Sequence, residues 1–460
     1  MALIKSISGI RGTIGGNPGE NLTPLDIVKF TAAFATSLSE DSKNKTIVIG
    51  RDGRISGKMV SALCANTLMA CGFDVIDLGL TTTPTVEIAV KEEGAAGGII
   101  LTASHNPKEW NALKLLNENG EFLNAEAGEK VLSYAEKEHF HFVTVDKTGT
   151  YHADDSYLQK HIEAVLNYDL VDVEAIRKAK FKIVLDPINS SGAVYIPALL
   201  KALGVKEVIV INDEVNGKFE HNPEPLPKNL TALSSEVVKQ KASLGIAVDP
   251  DVDRLCFVCE DGSMFGEEYT LVAVADYILS NRKGNTVSNM SSTKSLKEIT
   301  HKHGGEYFPS PVGEVNVVSK MKEVNAVIGG EGNGGIIVPD FHYGRDALIG
   351  IGLFLSHLAH SHKSIKQFRS NYPDYFISKN KITLEKSVDV EDIFQKIKDK
   401  YKNNPINTED GLKIEFGNDW VHLRTSNTEP ILRIYSESNF ETTAENIAKK
   451  IMKDIHEVMS

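Results

Sequence analysis

Cysteine is scarce in this chain: four in 460 residues. That count excludes a disulfide framework as the basis of the fold and favours a reducing compartment. No apolar run approaches the ~20 residues needed to cross a bilayer. The opening Met1-Ala-Leu-Ile-Lys-Ser lacks the long apolar core of a secretory signal. Positive charge is also in deficit. The formal net charge is −12, so general attraction to nucleic acid is not expected, and an anionic substrate has to be drawn in by local cations. What remains is an ordinary composition, 41% apolar and 24% charged, with ample material for a core. The expectation is a cytoplasmic enzyme with neither a membrane nor a nucleic-acid partner, in roughly three domains if about 150 residues is typical.

Alternating strand and helix signals fill most of the chain. Thr46 to Gly50, Asp74 to Leu78 and Gly98 to Thr102 read as strands, with helices from about Lys58 to Cys71 and Pro84 to Glu93. Thr23 and Pro24 look like the cap and first position of an earlier helix. A charged segment from Tyr134 to Asp155 reads as a domain boundary, after which the pattern restarts at Lys182–Asp186, Glu207–Ile211 and Leu244–Val248. A third round includes Ala326–Gly329 and a helix over Ala347–His360. From about Tyr372 the style becomes a small α+β unit. Such alternation predicts mostly parallel sheets.

Four stretches carry chemistry. In Leu101-Thr102-Ala103-Ser104-His105-Asn106-Pro107 a hydroxyl sits on a tight loop after a buried strand, because Pro107 lacks an amide proton and restricts Asn106. Lys114 follows ten residues on. A hydroxyl with cations nearby suits acyl or phosphoryl transfer, but the G-x-S-x-G elbow of a hydrolase is missing. In Asp249-Pro250-Asp251-Val252-Asp253-Arg254, alternation along extended chain would place three carboxylates on one side, where they repel unless a hard cation holds them. An EF-hand fails, since Arg254 stands where its glycine belongs. The reading is a Mg²⁺ site with Arg254 able to pair a phosphate. Gly329-Gly-Glu331-Gly-Asn333-Gly-Gly335 is either a plain turn or a loop whose carboxylate binds a diol. Arg424-Thr-Ser426-Asn427-Thr428-Glu-Pro430, with Arg433 beyond, is either a hairpin turn or a phosphate cradle. Cys256 and Cys259 point to opposite faces of a strand and do not suggest zinc.

Taken together and in this order, these segments resemble the α-D-phosphohexomutases, the phosphoglucosamine, phosphomanno- and phosphoglucomutases. Gly9-Ile-Arg11-Gly12 and Gly50-Arg51-Asp52-Gly53-Arg54 add weaker support. The resemblance implies three similar α/β domains with mixed sheets and a C-terminal α+β domain around a central cleft. It places the serine loop in residues 1–150, the metal loop in 151–260, the sugar loop in 261–370 and the phosphate-binding domain in 371–460. It implies an isomerase in which Ser104 rests as a phosphoserine, with Mg²⁺ held by Ser104, Asp249, Asp251 and Asp253. The phosphoryl group passes to a hexose phosphate, giving a bisphosphorylated sugar whose other phosphate returns to Ser104. Arg11, Arg254 and Lys114 surround the transferring group, and His105 and Lys114 are both candidates for proton transfer. Glu331 and Asn333 would meet the sugar, while Arg424, Ser426, Asn427, Thr428 and Arg433 hold the unreacting phosphate. The implied partner is a phosphosugar, bound by a monomer or homodimer. Departures occur at Ala112, Pro250, Val252, Asn333 and Gly335. Those at Asn333 and Gly335, together with Pro311-Val312-Gly313 and Gly344-Arg345-Asp346, look more like the phosphoglucosamine mutase branch, with phosphomannomutase/phosphoglucomutase and a phosphoserine sugar phosphatase as alternatives. A non-catalytic sugar-phosphate sensor would have no need of the acidic triplet or Lys114.

Overall fold

A computed structural model of the chain describes residues 3–6, 9–41, 44–384, 389–425 and 431–459. They form two compact units, Met1–Ile278 with Asn333–Arg369, and Leu279–Gly332 with Ser370–Ser460. Among the described residues no helix is long and apolar enough to cross a membrane.

The first unit opens on a seven-stranded sheet in the order Leu3–Ser6, Gly9–Thr13, Trp110–Leu116, Gly97–Leu101, Thr46–Arg51, Asp74–Leu80, Tyr151–Ala153. Its composition explains its layers. Ile47, Ile49, Ile99 and Leu101 face one way, onto Phe34, Cys64 and Leu68. Val48 and Ile100, at the alternate positions, face the other way onto Val86 and Val90. The helices Pro24–Asp41 and Gly57–Ala70 therefore cover one face and Thr83–Glu92 the other, which is why the strand leading to Ser104 is apolar at every position. The expected mostly parallel sheet is half antiparallel. Gly97–Leu101 runs parallel to Thr46–Arg51, but Trp110–Leu116 returns antiparallel beside it. The connection is too short for a crossover helix, so only a hairpin-like return is open to it.

The same unit contains a four-stranded mixed sheet, Leu255–Cys259, Leu244–Val248, Lys182–Asp186, Glu207–Val210. Leu244–Val248 pairs parallel with Lys182–Asp186 and antiparallel with Leu255–Cys259. The hairpin Gly335–Val338 with His342–Arg345 precedes the helix Ala347–Ser361.

In the second unit Asn285–Asn289 pairs in parallel with both Tyr307–Ser310 and Ala326–Glu331. The C-terminal part is a five-stranded antiparallel sheet, Phe376–Thr383, Ile431–Ser438, Asp419–Thr425, Leu412–Phe416, Ile406–Asn407. The helices Val390–Lys400 and Glu441–Met459 pack Ile393, Ile397, Ile451 and Ile455 onto Ile414, Leu423 and Ile434. Leu412–Phe416, absent from the sequence reading, hairpins onto Asp419–Thr425 through Gly417, whose φ of 67° suits a tight turn.

Candidate active site

Ser104 lies three residues past its strand with φ at 47°, a left-handed conformation that a serine holds only when its surroundings impose it. The surroundings are Asp52 and Arg54. The Asp52 carboxylate accepts the Thr102 hydroxyl at 2.6 Å, and the Thr102 oxygen in turn accepts the Ser104 amide at 2.9 Å. The Arg54 guanidinium donates to Asp52 at 3.0 Å and to the carbonyls of Asn106, Pro107 and Trp110 at 2.7 to 2.9 Å. It also donates to the Ser104 carbonyl. Gly53 must be glycine: a Cβ there would come within 2.7 Å of the Ser190 Cα. Its amide donates to Ser190 Oγ, which donates to the Pro250 carbonyl. The serine loop and the acidic loop are thus tied through one hydroxyl.

The acidic triplet converges, but not as extended chain. Val252 takes φ 63° and its amide donates to the Asp249 carbonyl at 3.1 Å, so the loop turns. The turn, rather than strand alternation, brings the carboxylates together. A β-branched side chain in that region is strained; Val252 is fully buried and its carbonyl accepts the Ala347 amide, which holds it there. Each carboxylate is clamped through particular atoms. Asp249 Oδ1 accepts the amides of Asp253 and Arg254, and Oδ2 accepts the Ser104 hydroxyl at 2.8 Å. Asp251 Oδ2 accepts Thr83 at 2.6 Å and Lys114 at 2.7 Å. Asp253 Oδ2 accepts Arg345 at 2.6 Å. The remaining oxygens, Oδ1 of Asp251 and of Asp253, are buried without a hydrogen bond. One ligand oxygen from each of the three residues lies within 4.8 Å of the others.

Three buried carboxylates with oxygens at that spacing, two of them carrying an unsatisfied oxygen, fit a hard divalent cation. Among the described residues this triplet is the only such cluster. Burial, with the like charges of Asp253 and Asp251, pushes the Asp249 carboxyl well above its ordinary value. Burial opposes ionisation of Asp251 too, but Lys114, together with hydrogen bonds from Thr83 and Asp249, outweighs it and holds that carboxyl below the usual range. A bound cation would relieve the repulsion.

Sheet register gathers the cations. Arg11 stands opposite Ala112, and Lys114 opposite Ile100, so residues a hundred apart in sequence share one end of the sheet. Burial pulls Lys114 down, but Asp251 and Asp253 more than compensate and keep it above the ordinary lysine value. His105 Nδ1 lies 3.4 Å from Ser104 Oγ. Arg254 first, then burial and Arg11, drive its pKa well below 6.5. Arg254 itself is buried, its Nε without a hydrogen bond and 3.8 to 3.9 Å from Asp253 and Asp249.

Asn333 lies in the same unit, its side-chain oxygen accepting the Gly335 amide. In the other unit, buried Glu331 Oε1 accepts Asn289 Nδ2 at 2.9 Å and the Gly313 amide at 3.1 Å. Arg424 pairs with Asp410 at 2.8 Å and stands opposite Arg433 across two strands. Ser426, Asn427 and Thr428 lie outside the described residues. The four cysteines are buried and free, with no zinc cluster among the described residues. Thr83 and Arg345, which bind Asp251 and Asp253, went unassigned in the sequence. The charged motif Gly344-Arg345-Asp346 at a strand end is the available signal for Arg345; Thr83 has none.

Four family models match the chain in succession. These are the α/β/α domains I, II and III of phosphoglucomutase/phosphomannomutase, at residues 3–142, 159–262 and 266–375, and the C-terminal domain of the same family at 382–454. A phosphoglucomutase/phosphomannomutase of Thermococcus kodakarensis is 35% identical over 97% of this chain and 98% of its own. A phosphoglucosamine/phosphogalactosamine mutase of Sulfurisphaera tokodaii is 30% identical over 98% and 99%. A phosphoglucomutase/phosphomannomutase family protein of Burkholderia thailandensis shares the fold, with a TM-score of 0.85 at 24% identity over 99% of this chain and 97% of that one.

Proposed function

The chain belongs to the phosphoglucomutase/phosphomannomutase family of isomerases, three α/β/α domains followed by a C-terminal domain, and on that premise we propose that it interconverts the 6- and 1-phosphates of glucosamine through phospho-Ser104. The observation that carries the assignment is the Ser104 hydroxyl, 2.8 Å from Asp249 in an acidic triplet with two unsatisfied oxygens, ringed by cations. Ser104, Asp249, Asp251 and Asp253 would hold Mg²⁺, which supplies charge neutralisation for the phosphoryl oxygens. The domains are read as 1–150, 151–260, 261–370 and 371–460. The buried free cysteines suit a reducing, cytoplasmic location.

The roles divide by charge state. His105, kept neutral, can take the proton of the attacking sugar hydroxyl as that oxygen bonds to phosphorus and the Ser104 Oγ–P bond breaks. Lys114, kept charged, serves as a proton donor or fixed cation rather than a base. Arg11 and Arg254 face the moving phosphoryl group. In the second step the other phosphate of the bisphosphorylated sugar returns to Ser104 and regenerates the enzyme. Glu331 and Asn333 are read as sugar contacts. Arg424 and Arg433, with Ser426, Asn427 and Thr428, are read as contacts of the phosphate that does not react.

Glucosamine is favoured because several relatives near 30% identity carry the phosphoglucosamine mutase name. The phosphoglucomutase/phosphomannomutase name of a 35% identical relative keeps glucose or mannose as the second reading. Turnover of the three 6-phosphates decides between them: a large preference for glucose or mannose would overturn the narrower assignment. Intact-mass and peptide analysis is expected to find phosphate on Ser104, with almost no inorganic phosphate released during turnover. Stoichiometric release would mark a phosphatase instead.

A further inference from the structure

We infer that Arg345 is a positioning residue for the Asp253 carboxylate, held in place by a buried lock in which His161 and His342 share the Asp346 carboxylate. The inference rests on the reading of the acidic triplet as a divalent-cation site. Arg345 ends the strand His342–Arg345 and donates to Asp253 Oδ2 at 2.6 Å, leaving Oδ1 unsatisfied. A long side chain can do this reproducibly only if its backbone is fixed. The next residue supplies the fixing. Asp346 caps the helix Ala347–Ser361 through Oδ1, which accepts the Leu348 amide at 2.7 Å. Its Oδ2 accepts His161 Nε2 at 2.9 Å and His342 Nε2 at 3.1 Å. Asp346 and His161 are both wholly buried.

The lock also reaches Asp251, the middle residue of the triplet. His161 Nδ1 lies 2.9 Å from Thr85 Oγ1, and His342 Nδ1 lies 3.5 Å from Glu87 Oε2. Thr85 and Glu87 belong to the helix Thr83–Glu92. The first residue of that helix, Thr83, donates its hydroxyl to the Asp251 carboxylate and its amide to the Asp251 carbonyl, at 2.6 and 2.9 Å. The backbone at Gly344 is pressed against the same helix: a Cβ there would lie 1.8 Å from Glu87 Oε2. One histidine–carboxylate cluster therefore sets both the helix that holds Asp251 and the strand that holds Asp253. The two unsatisfied oxygens belong to those two residues.

The direction of the effect separates positioning from simple charge. A guanidinium that acted only as a positive charge beside the triplet would repel a divalent cation, and its removal would tighten binding. Loss of positioning weakens binding, by about 10–100-fold where partners of metal ligands are removed. The test is Mn²⁺ titration of the full chain by electron paramagnetic resonance, with thermal melts as a folding control. Wild type is expected to bind one Mn²⁺, Arg345→Met to bind it about 10–100-fold more weakly, and Arg345→Lys to fall between. His161→Phe, which keeps a ring but loses the donor to Asp346, is expected to weaken Mn²⁺ binding in the same direction. Unchanged or tighter binding in Arg345→Met overturns the inference. Should that variant not fold, Mn²⁺ binding by Arg345→Lys equal to wild type overturns it as well. No Mn²⁺ binding by wild type would sink the cation-site reading and the inference together.

Discussion

Arg54 and Arg254 are both buried, 2% and 8% exposed, and both lie next to loops that carry chemistry, yet they are satisfied in opposite ways. Arg54 donates to one carboxylate and to four backbone carbonyls of the serine loop and its continuation. The Arg254 Nε makes no hydrogen bond, and the carboxylates the guanidinium faces as ion pairs stand back at 3.8 Å or more. Leaving a buried polar group unpaired costs about 1–3 kcal/mol and more when it is charged. A chain retains that cost where a ligand completes the hydrogen bonds. On the function proposed above, the saturated Arg54 is architecture and the unsaturated Arg254 is a binding group.

Three measurements would break or sharpen that contrast. The largest effect is expected for Arg54→Met. It leaves Asp52 as an uncompensated buried carboxylate and the serine-loop carbonyls unpaired, costing about 3–5 kcal/mol of stability in denaturant unfolding. Full stability with a selective loss of kcat would break the contrast. Next, Arg254→Lys keeps the charge but not the planar fork. It is expected to lower kcat/KM about 10²–10³-fold, as for loss of one charge-stabilising donor, with the midpoint of thermal unfolding nearly unchanged. A fall in stability as large as that of Arg54→Met would make the two arginines equivalent.

The smallest effect concerns His422 in the other unit, a buried group whose contacts are complete. Its Nε2 donates to the Asp410 carbonyl, so Nδ1 is the acceptor of the Ser291 hydroxyl at 2.8 Å. Burial drives its pKa from 6.5 to about 4. Between those values the unfolded chain binds the proton and the folded chain does not, so the contribution is complete above pH 6.5 and fades as pH falls toward 4. The loss amounts to at most about 3 kcal/mol. Unfolding of wild type and His422→Asn across that window should show the steeper decline in wild type. Parallel curves would remove His422 from the satisfied class.

Much of the candidate site was legible because the groups proposed to carry the chemistry are neighbours in the chain. Ser104 and His105 are adjacent, and Asp249, Asp251, Asp253 and Arg254 occupy six positions. The supports were not legible. Thr83, Arg54, Ser190 and Arg345 act across distances of 50 to 168 residues from what they hold. Charged motifs mark Arg54 and Arg345 at strand ends, but no local pattern says which distant group each of them holds. Two expectations also changed character. The first sheet is half antiparallel, because a short return cannot cross over. The triplet meets through a strained turn at Val252 rather than by strand alternation.

By itself, then, the sequence determined which atoms were available: a hydroxyl beside an imidazole, three carboxylates in one loop, and apolar strands to bury them. Covalent proximity is enough for that. Tertiary structure alone decided which oxygen of each carboxylate is engaged and which is left open, and which arginine is saturated. Those states depend on hydrogen bonds from strands and helices brought alongside by sheet order, and sheet order is set by packing of the whole core rather than by any short stretch of chain.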